Sequence, residues 1–131
     1  MTADHNLTPQ LRGLTQGLWF PSETEAPWTL PSWTLETVDV SSLRNVLRRN
    51  ATAEVVEITP EDLIQQVEKR CQGYGDEGKA IAQQHKALIR FLTTHCEQVQ
   101  VFRVGSVTVD VLIIGRTPTG IVILQTQSVE T

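Results

Sequence analysis

Val99-Gln100-Val101-Phe102-Arg103-Val104-Gly105-Ser106-Val107-Thr108-Val109-Asp110-Val111-Leu112-Ile113-Ile114 is the stretch that decides the fold. Two β-branched runs, 99–104 and 107–114, flank Gly105-Ser106, a pair whose glycine comes first as a two-residue type II′ hairpin requires. A third run, from Ile121 to about Ser128, follows an expected loop at 115–120, so the C-terminal third reads as an antiparallel meander. Val111, Leu112, Ile113 and Ile114 are apolar at consecutive positions, as are residues 121–124. Successive strand residues face opposite sides, so both faces of this sheet need cover.

The cover is legible upstream. Thr8 then Pro9 reads as an N-cap with proline at the first helical position, and Leu11, Leu14 and Leu18 mark one face of a short helix ending near Gly17. Ser41 and Ser42 offer a cap for a second helix to about Arg49, with Leu43, Val46 and Leu47 inward and three arginines near the C-terminal end of the helix dipole. Residues 53–58 read as a strand. Thr59, Pro60 and Asp62 form a capping signature before Leu63, Ile64, Val67 and Cys71, which places Cys71 on a buried face. Residues 72–75 break that helix. Asp76 and Glu77 open a longer one, carried by Ala80, Ile81, Ala87, Leu88, Phe91 and Leu92 to about His95. Helices around a two-sided antiparallel sheet give an α/β (α+β) class, built most economically as a three-layer α/β/α sandwich, in one domain over 1–131.

Between Phe20 and Trp33 lie Pro21, Pro27 and Pro31, which exclude regular helix, while Trp19, Phe20, Trp28 and Trp33 can pin the segment to a core. An ordered loop carrying Ser22-Glu23-Thr24-Glu25 is the expectation. The net charge of −4 opposes direct nucleic-acid binding. No basic residue occurs between Arg12 and Arg44 or after Arg116, so the loop and the end of the chain, Glu130 and the carboxylate of Thr131, are two purely acidic stretches. By default such charges are solvated surface. The polar start and the lack of a long apolar run lead to the expectation of a cytoplasmic protein with no membrane segment.

Enzymatic chemistry finds little footing. His5, His85 and His95 lack partners at metal-ligand spacing, Cys71 and Cys96 read as free thiols, and Gly73-Tyr74-Gly75 is a loop signal. Asp110 among valines is a candidate perturbed carboxylate, more ordinarily a hydrogen-bonded one. Asn50-Ala51-Thr52 matches a glycosylation acceptor by accident if the chain is not secreted. The expectation is a protein that is not an enzyme and carries no cofactor or metal of its own.

Three stretches carry a resemblance. Gly17-Leu18-Trp19-Phe20-Pro21-Ser22-Glu23-Thr24-Glu25-Ala26-Pro27 is similar to a G-L-x-F-x-S-E-S-E-x-P segment. Val101-Phe102-Arg103-Val104-Gly105, Val109-Asp110-Val111 and Ile114-Gly115-Arg116-Thr117-Pro118-Thr119-Gly120 resemble V-Y-R-L-G…D-V…I-G-x-T-P-x-G, and Val129-Glu130-Thr131 is similar to a V-E-T terminus. All three belong to the nuclease A inhibitor family. The resemblance spans nearly the whole chain and is weakest between Trp28 and Gly75.

The resemblance implies a sandwich like that of pathogenesis-related-1 proteins and an inhibitor of a sugar-non-specific, Mg²⁺-dependent endonuclease, acting as a monomer in a one-to-one complex. The family blocks the metal centre with its terminal threonine and a glutamate, which map by motif onto Thr131 and Glu23; Glu25 and Glu130 accompany them. The family's exposed Gln-Asp-Trp falls near Gln72-Gly73-Tyr74, with Pro60-Glu61-Asp62-Leu63 as a competing local match. The tryptophan is missing, and Tyr74 is the substitute at hand. A non-inhibitory binding module of the same fold is the competing reading.

Overall fold

A computed structural model describes residues 2–131. Its elements run α1 (Thr8–Thr15), α2 (Val40–Val46), β1 (Val55–Ile58), α3 (Pro60–Cys71), a 3₁₀ turn (Gln72–Tyr74), α4 (Gly75–His95), β2 (Gln98–Val104), β3 (Thr108–Thr117) and β4 (Gly120–Val129). The four strands form one antiparallel sheet in the order β1-β2-β3-β4. This is a mixed α+β architecture whose sheet follows chain order.

Register explains the continuous apolar runs. Val101, Ile113 and Leu124 line up across β2, β3 and β4, and the neighbouring line joins Gln100, Ile114 and Ile123. The first line belongs to a core with Leu11, Phe20, Trp28, Leu63, Val67, Leu88 and Leu92. Leu112, Ile114, Ile121 and Ile123 belong to a second core with Phe102, Leu35 and Leu43, against which Trp33 and Val46 pack. The sheet is therefore buried on both faces, by α1, α3 and α4 with the 18–28 segment on one and by α2 with the 33–38 segment on the other. At about 25 cal/mol per Å² of apolar surface removed from water, two such cores supply the main driving force for folding.

Local signals held where they were self-contained. The Thr59 side chain accepts from the Asp62 amide at 3.0 Å while Asp62 accepts from the Thr59 amide at 3.2 Å, a complete capping box. Cys71 is buried on α3.

Five expectations are corrected. Thr8 is the first residue of α1 rather than its cap; Leu7 holds that position, with no side-chain bond. The cap of α2 is Asp39, whose carboxylate accepts from the Ser42 amide at 2.8 Å, because two ionised oxygens compete better for that amide than the hydroxyls of Ser41 or Ser42. That helix stops at Val46, where Arg48 turns left-handed (φ 56°), so only Arg44 occupies its last turn and Arg49 reaches instead to Asp110.

Gly105-Ser106 is not a two-residue hairpin. Val104 pairs with Asp110, and the Gly105 amide is drawn to the carbonyl of Glu54 at 2.9 Å while Arg49 donates to the carbonyl of Thr108 at 2.6 Å. These bonds hold a wider turn, with Gly105 at φ +113°, a conformation that favours glycine. Conversely, the expected loop at 115–120 is a tight turn, since Thr117 pairs directly with Gly120 and leaves only Pro118 and Thr119 between.

Candidate functional site

The Pro-rich segment is a small rooted arch. The Phe20 amide donates to the carbonyl of Ala26 at 2.8 Å, the Trp28 amide to that of Leu18 at 3.2 Å, and Thr29 pairs with Gln125 on β4. Phe20 and Trp28 are buried and meet edge to face at 5.9 Å. Trp28 Nε1 donates to Nε2 of His85 at 2.9 Å, and Nδ1 of His85 lies 2.9 Å from the carbonyl of Ile81. With Nε2 accepting, the proton sits on Nδ1 and donates to that carbonyl, so the ring is neutral. Burial lowers the pKa of His85 to about 4, against a smaller opposing effect of the Ile81 bond. His85 is a core strut.

From this base the tip, residues 22–25, projects outward. Glu25 has φ 47°, a left-handed conformation uncommon for a side chain with Cβ, and it closes the turn with its amide 3.3 Å from the carbonyl of Ser22. Glu23, Thr24 and Glu25 are exposed.

The end of β4 runs beside this tip. The Val129 amide donates to Ser22 Oγ at 3.3 Å, and the Glu130 amide to the carbonyl of Val107 at 2.8 Å. Thr131 Oγ1 then donates to Glu23 Oε1 at 2.5 Å, with both residues in solvent. Two acidic stretches far apart in sequence thus form one negatively charged projection.

Beside it, the Glu25 carboxylate interacts with the Tyr74 phenol and, with some desolvation, raises its pKa. The Tyr74 ring packs on Trp19 with centroids 5.1 Å apart and keeps 38% of its surface exposed. Glu23, Glu25, Tyr74 and Thr131 share one side of the molecule.

Glu130 is placed differently. Its carboxylate turns inward to Arg70 at 2.9 Å, to Arg103 at 2.6 Å and to the hydroxyl of Ser128 at 2.7 Å. Burial alone would raise its pKa; bonds from Arg103, Arg70 and Ser128 outweigh this and bring it to about 2. Arg70 also donates to the carbonyl of Pro21 at 3.1 Å and to Ser128 Oγ at 3.0 Å. Arg103 donates to Gln66 Oε1 at 3.0 Å. Neither arginine stood out in the sequence, although a signal existed. Arg103 occupies the same strand face as Val101, and Arg70 follows Leu63, Gln66 and Val67 along the inward stripe of α3, so each is a charge on a core-facing position needing a partner.

Asp110 is buried and fully engaged. Arg49 donates to its Oδ2 through two nitrogens at 3.0 and 2.9 Å, and Gln125 and Gln127 donate to Oδ1 at 3.3 and 3.2 Å. It ties the end of α2 to the sheet. Cys71 and Cys96 are free, buried thiols whose pKa values burial pushes up. Among the described residues, no three His, Cys, Asp or Glu side chains are grouped to hold a metal ion.

No curated protein matches the chain. A family model described as nuclease A inhibitor-like protein matches residues 5–131, a span that includes the acidic arch, Tyr74, the clamped Glu130 and Thr131. The chain belongs to the nuclease A inhibitor-like family.

Proposed function

We propose that this protein inhibits a sugar-non-specific, Mg²⁺-dependent DNA/RNA endonuclease by inserting the Thr131–Glu23 projection into its metal-bearing cleft. The observation that carries this reading is the 2.5 Å contact between Thr131 Oγ1 and Glu23, both exposed and on one side of the molecule. A nuclease cleft holds a divalent cation and positive charge for a phosphodiester, and Mg²⁺ takes hard oxygen ligands in octahedral geometry. An oxygen of Thr131 stands in for a phosphate oxygen. Glu23 takes a charge-assisted bond from an active-site arginine or the attacking water. Glu25 and Tyr74 border the contact. The protein turns nothing over; it occludes, as a monomer in a one-to-one cytosolic complex that excludes nucleic acid. The two covered sheet faces support reading the fold as an α/β/α sandwich of the pathogenesis-related-1 kind.

One observation favours the alternative, a binding module without inhibitory power. The aromatic position holds Tyr74, partly engaged by Trp19 and Glu25, where the family resemblance calls for tryptophan. An aromatic anchor can contribute about 2 kcal/mol or more at an interface. Titrating the protein into a plasmid-degradation assay with a sugar-non-specific nuclease separates the two. Stoichiometric arrest of cleavage is expected, and undiminished cleavage at large excess would leave only the binding module.

A further inference from the structure

The projection has to be held, and among the described residues one side chain, that of Arg70, ties its two parts together from below. The guanidinium of Arg70 donates to the carbonyl of Pro21, at the root of the acidic arch, and to Ser128 Oγ and Glu130 Oε2 in the tail. Its carbon lies 5.6 Å from the centroid of the Phe20 ring, on the face of the arch's buried anchor. Arg103, by contrast, reaches the tail and Gln66 but not the arch. Thr131 is one residue beyond the doubly paired Glu130, and Glu23 is two beyond Pro21. Arg70 therefore touches both strands of the projection immediately below its two tips.

We infer that Arg70 is a positioning residue for inhibition: by joining the Pro21 carbonyl to the Ser128-Glu130 tail, it holds Thr131 and Glu23 together before the partner arrives. The inference rests on the function proposed above. A chain end is ordinarily mobile, and ordering it on binding costs affinity. A tail held in place beforehand avoids that cost. The arrangement suits arginine: its planar fork serves three acceptors at once, which the single ammonium of a lysine serves less well. Arg70 stays behind the projection, with 27% of its side chain exposed, and contacts the partner only through the residues it holds.

The test compares wild type with Arg70→Met, which keeps the unbranched stem of the side chain without its guanidinium, and Arg70→Lys, which keeps its charge. The Met variant should inhibit a sugar-non-specific nuclease roughly tenfold or more less well, and the Lys variant should recover only part of the loss. Backbone ¹⁵N relaxation of the free proteins supplies the readout that a merely structural role would not move. The Thr131 amide should be ordered in wild type and mobile on the nanosecond scale in Arg70→Met, while the amides of Leu63 and Val67 stay rigid. Equal order of Thr131 in both proteins, or equal potency, overturns the inference. Should Arg70→Met fail to fold, Glu130→Gln probes the same link and should loosen Thr131. If wild type itself does not inhibit, the proposed function falls and takes the inhibitory part of the inference with it. That outcome is distinguishable, because the relaxation comparison still shows whether Arg70 orders the tail.

Discussion

Thr131 donates its hydroxyl hydrogen to the carboxylate of Glu23 across 108 residues of sequence, and the bond lies in solvent. An exposed hydrogen bond adds little to folding, because water competes for both partners. Its consequence is geometric, since it fixes the spacing of two oxygen-bearing groups that the proposed mechanism uses together.

Removing Thr131, or extending the chain past it with a tag, should weaken nuclease inhibition roughly ten- to a hundredfold, the loss expected for a charge-assisted contact. Glu23→Ala should cost less. Because both residues are exposed, the melting temperature should stay within a degree or two of wild type. Full potency in a tagged protein would remove Thr131 from the mechanism.

Acid should act first through His85. Its folded pKa of about 4 lies below the unfolded value near 6.5, so the unfolded chain takes up the proton first. Stability is level above about pH 6.5 and falls as the pH drops towards 4, by an amount on the order of 3 kcal/mol. Glutamine can accept from Trp28 and donate to Ile81, so His85→Gln should flatten this part of the curve. Urea titrations of both proteins between pH 4 and 7 check it, and an unchanged slope would place the proton uptake elsewhere.

A second acid window belongs to Glu130. Its folded pKa of about 2 lies below the ordinary 4.5, so its contribution is complete above pH 4.5 and disappears as the pH falls to 2. With 28% of the side chain exposed, that contribution is on the order of 2 kcal/mol. Glu130→Gln should be less stable than wild type at pH 7 and nearly equal to it at pH 2. Thermal melts at the two pH values measure the difference.

Gly78 sits where α4 crosses the end of α3. A Cβ there would lie 2.2 Å from the carbonyl oxygen of Cys71 and 2.9 Å from Cβ of Tyr74. Gly78→Ala should destabilise the fold by about 1–3 kcal/mol despite alanine's better helix propensity. It should also displace Tyr74, visible as a change in the fluorescence of the adjoining Trp19. A stabilised variant would show that the two helices separate readily.

Much of the architecture is determined by short-range pattern. The 3.6-residue spacing from Leu63 to Cys71, the capping box at Thr59 and the continuous apolar runs in β3 and β4 each act within a few residues, so helices, strands and two-sided burial could be read directly. Ends and turns depend on competition between donors. Asp39 displaced the serines as a cap because its ionised oxygens take the Ser42 amide better than a hydroxyl does, and the carbonyl of Glu54, brought near only by folding, drew the Gly105 amide out of a two-residue turn.

The candidate site divides the same way. That Ser22-Glu23-Thr24-Glu25 and Val129-Glu130-Thr131 are acidic and free of bases is a property of the chain alone. That Thr131 meets Glu23 while Glu130, between Val129 and Thr131, turns inward to Arg70 and Arg103 was decided only by tertiary structure. Strand alternation sends neighbouring side chains to opposite sides, but which side holds two partly buried guanidinium groups depends on how α3 packs against β2. No local pattern encodes that packing.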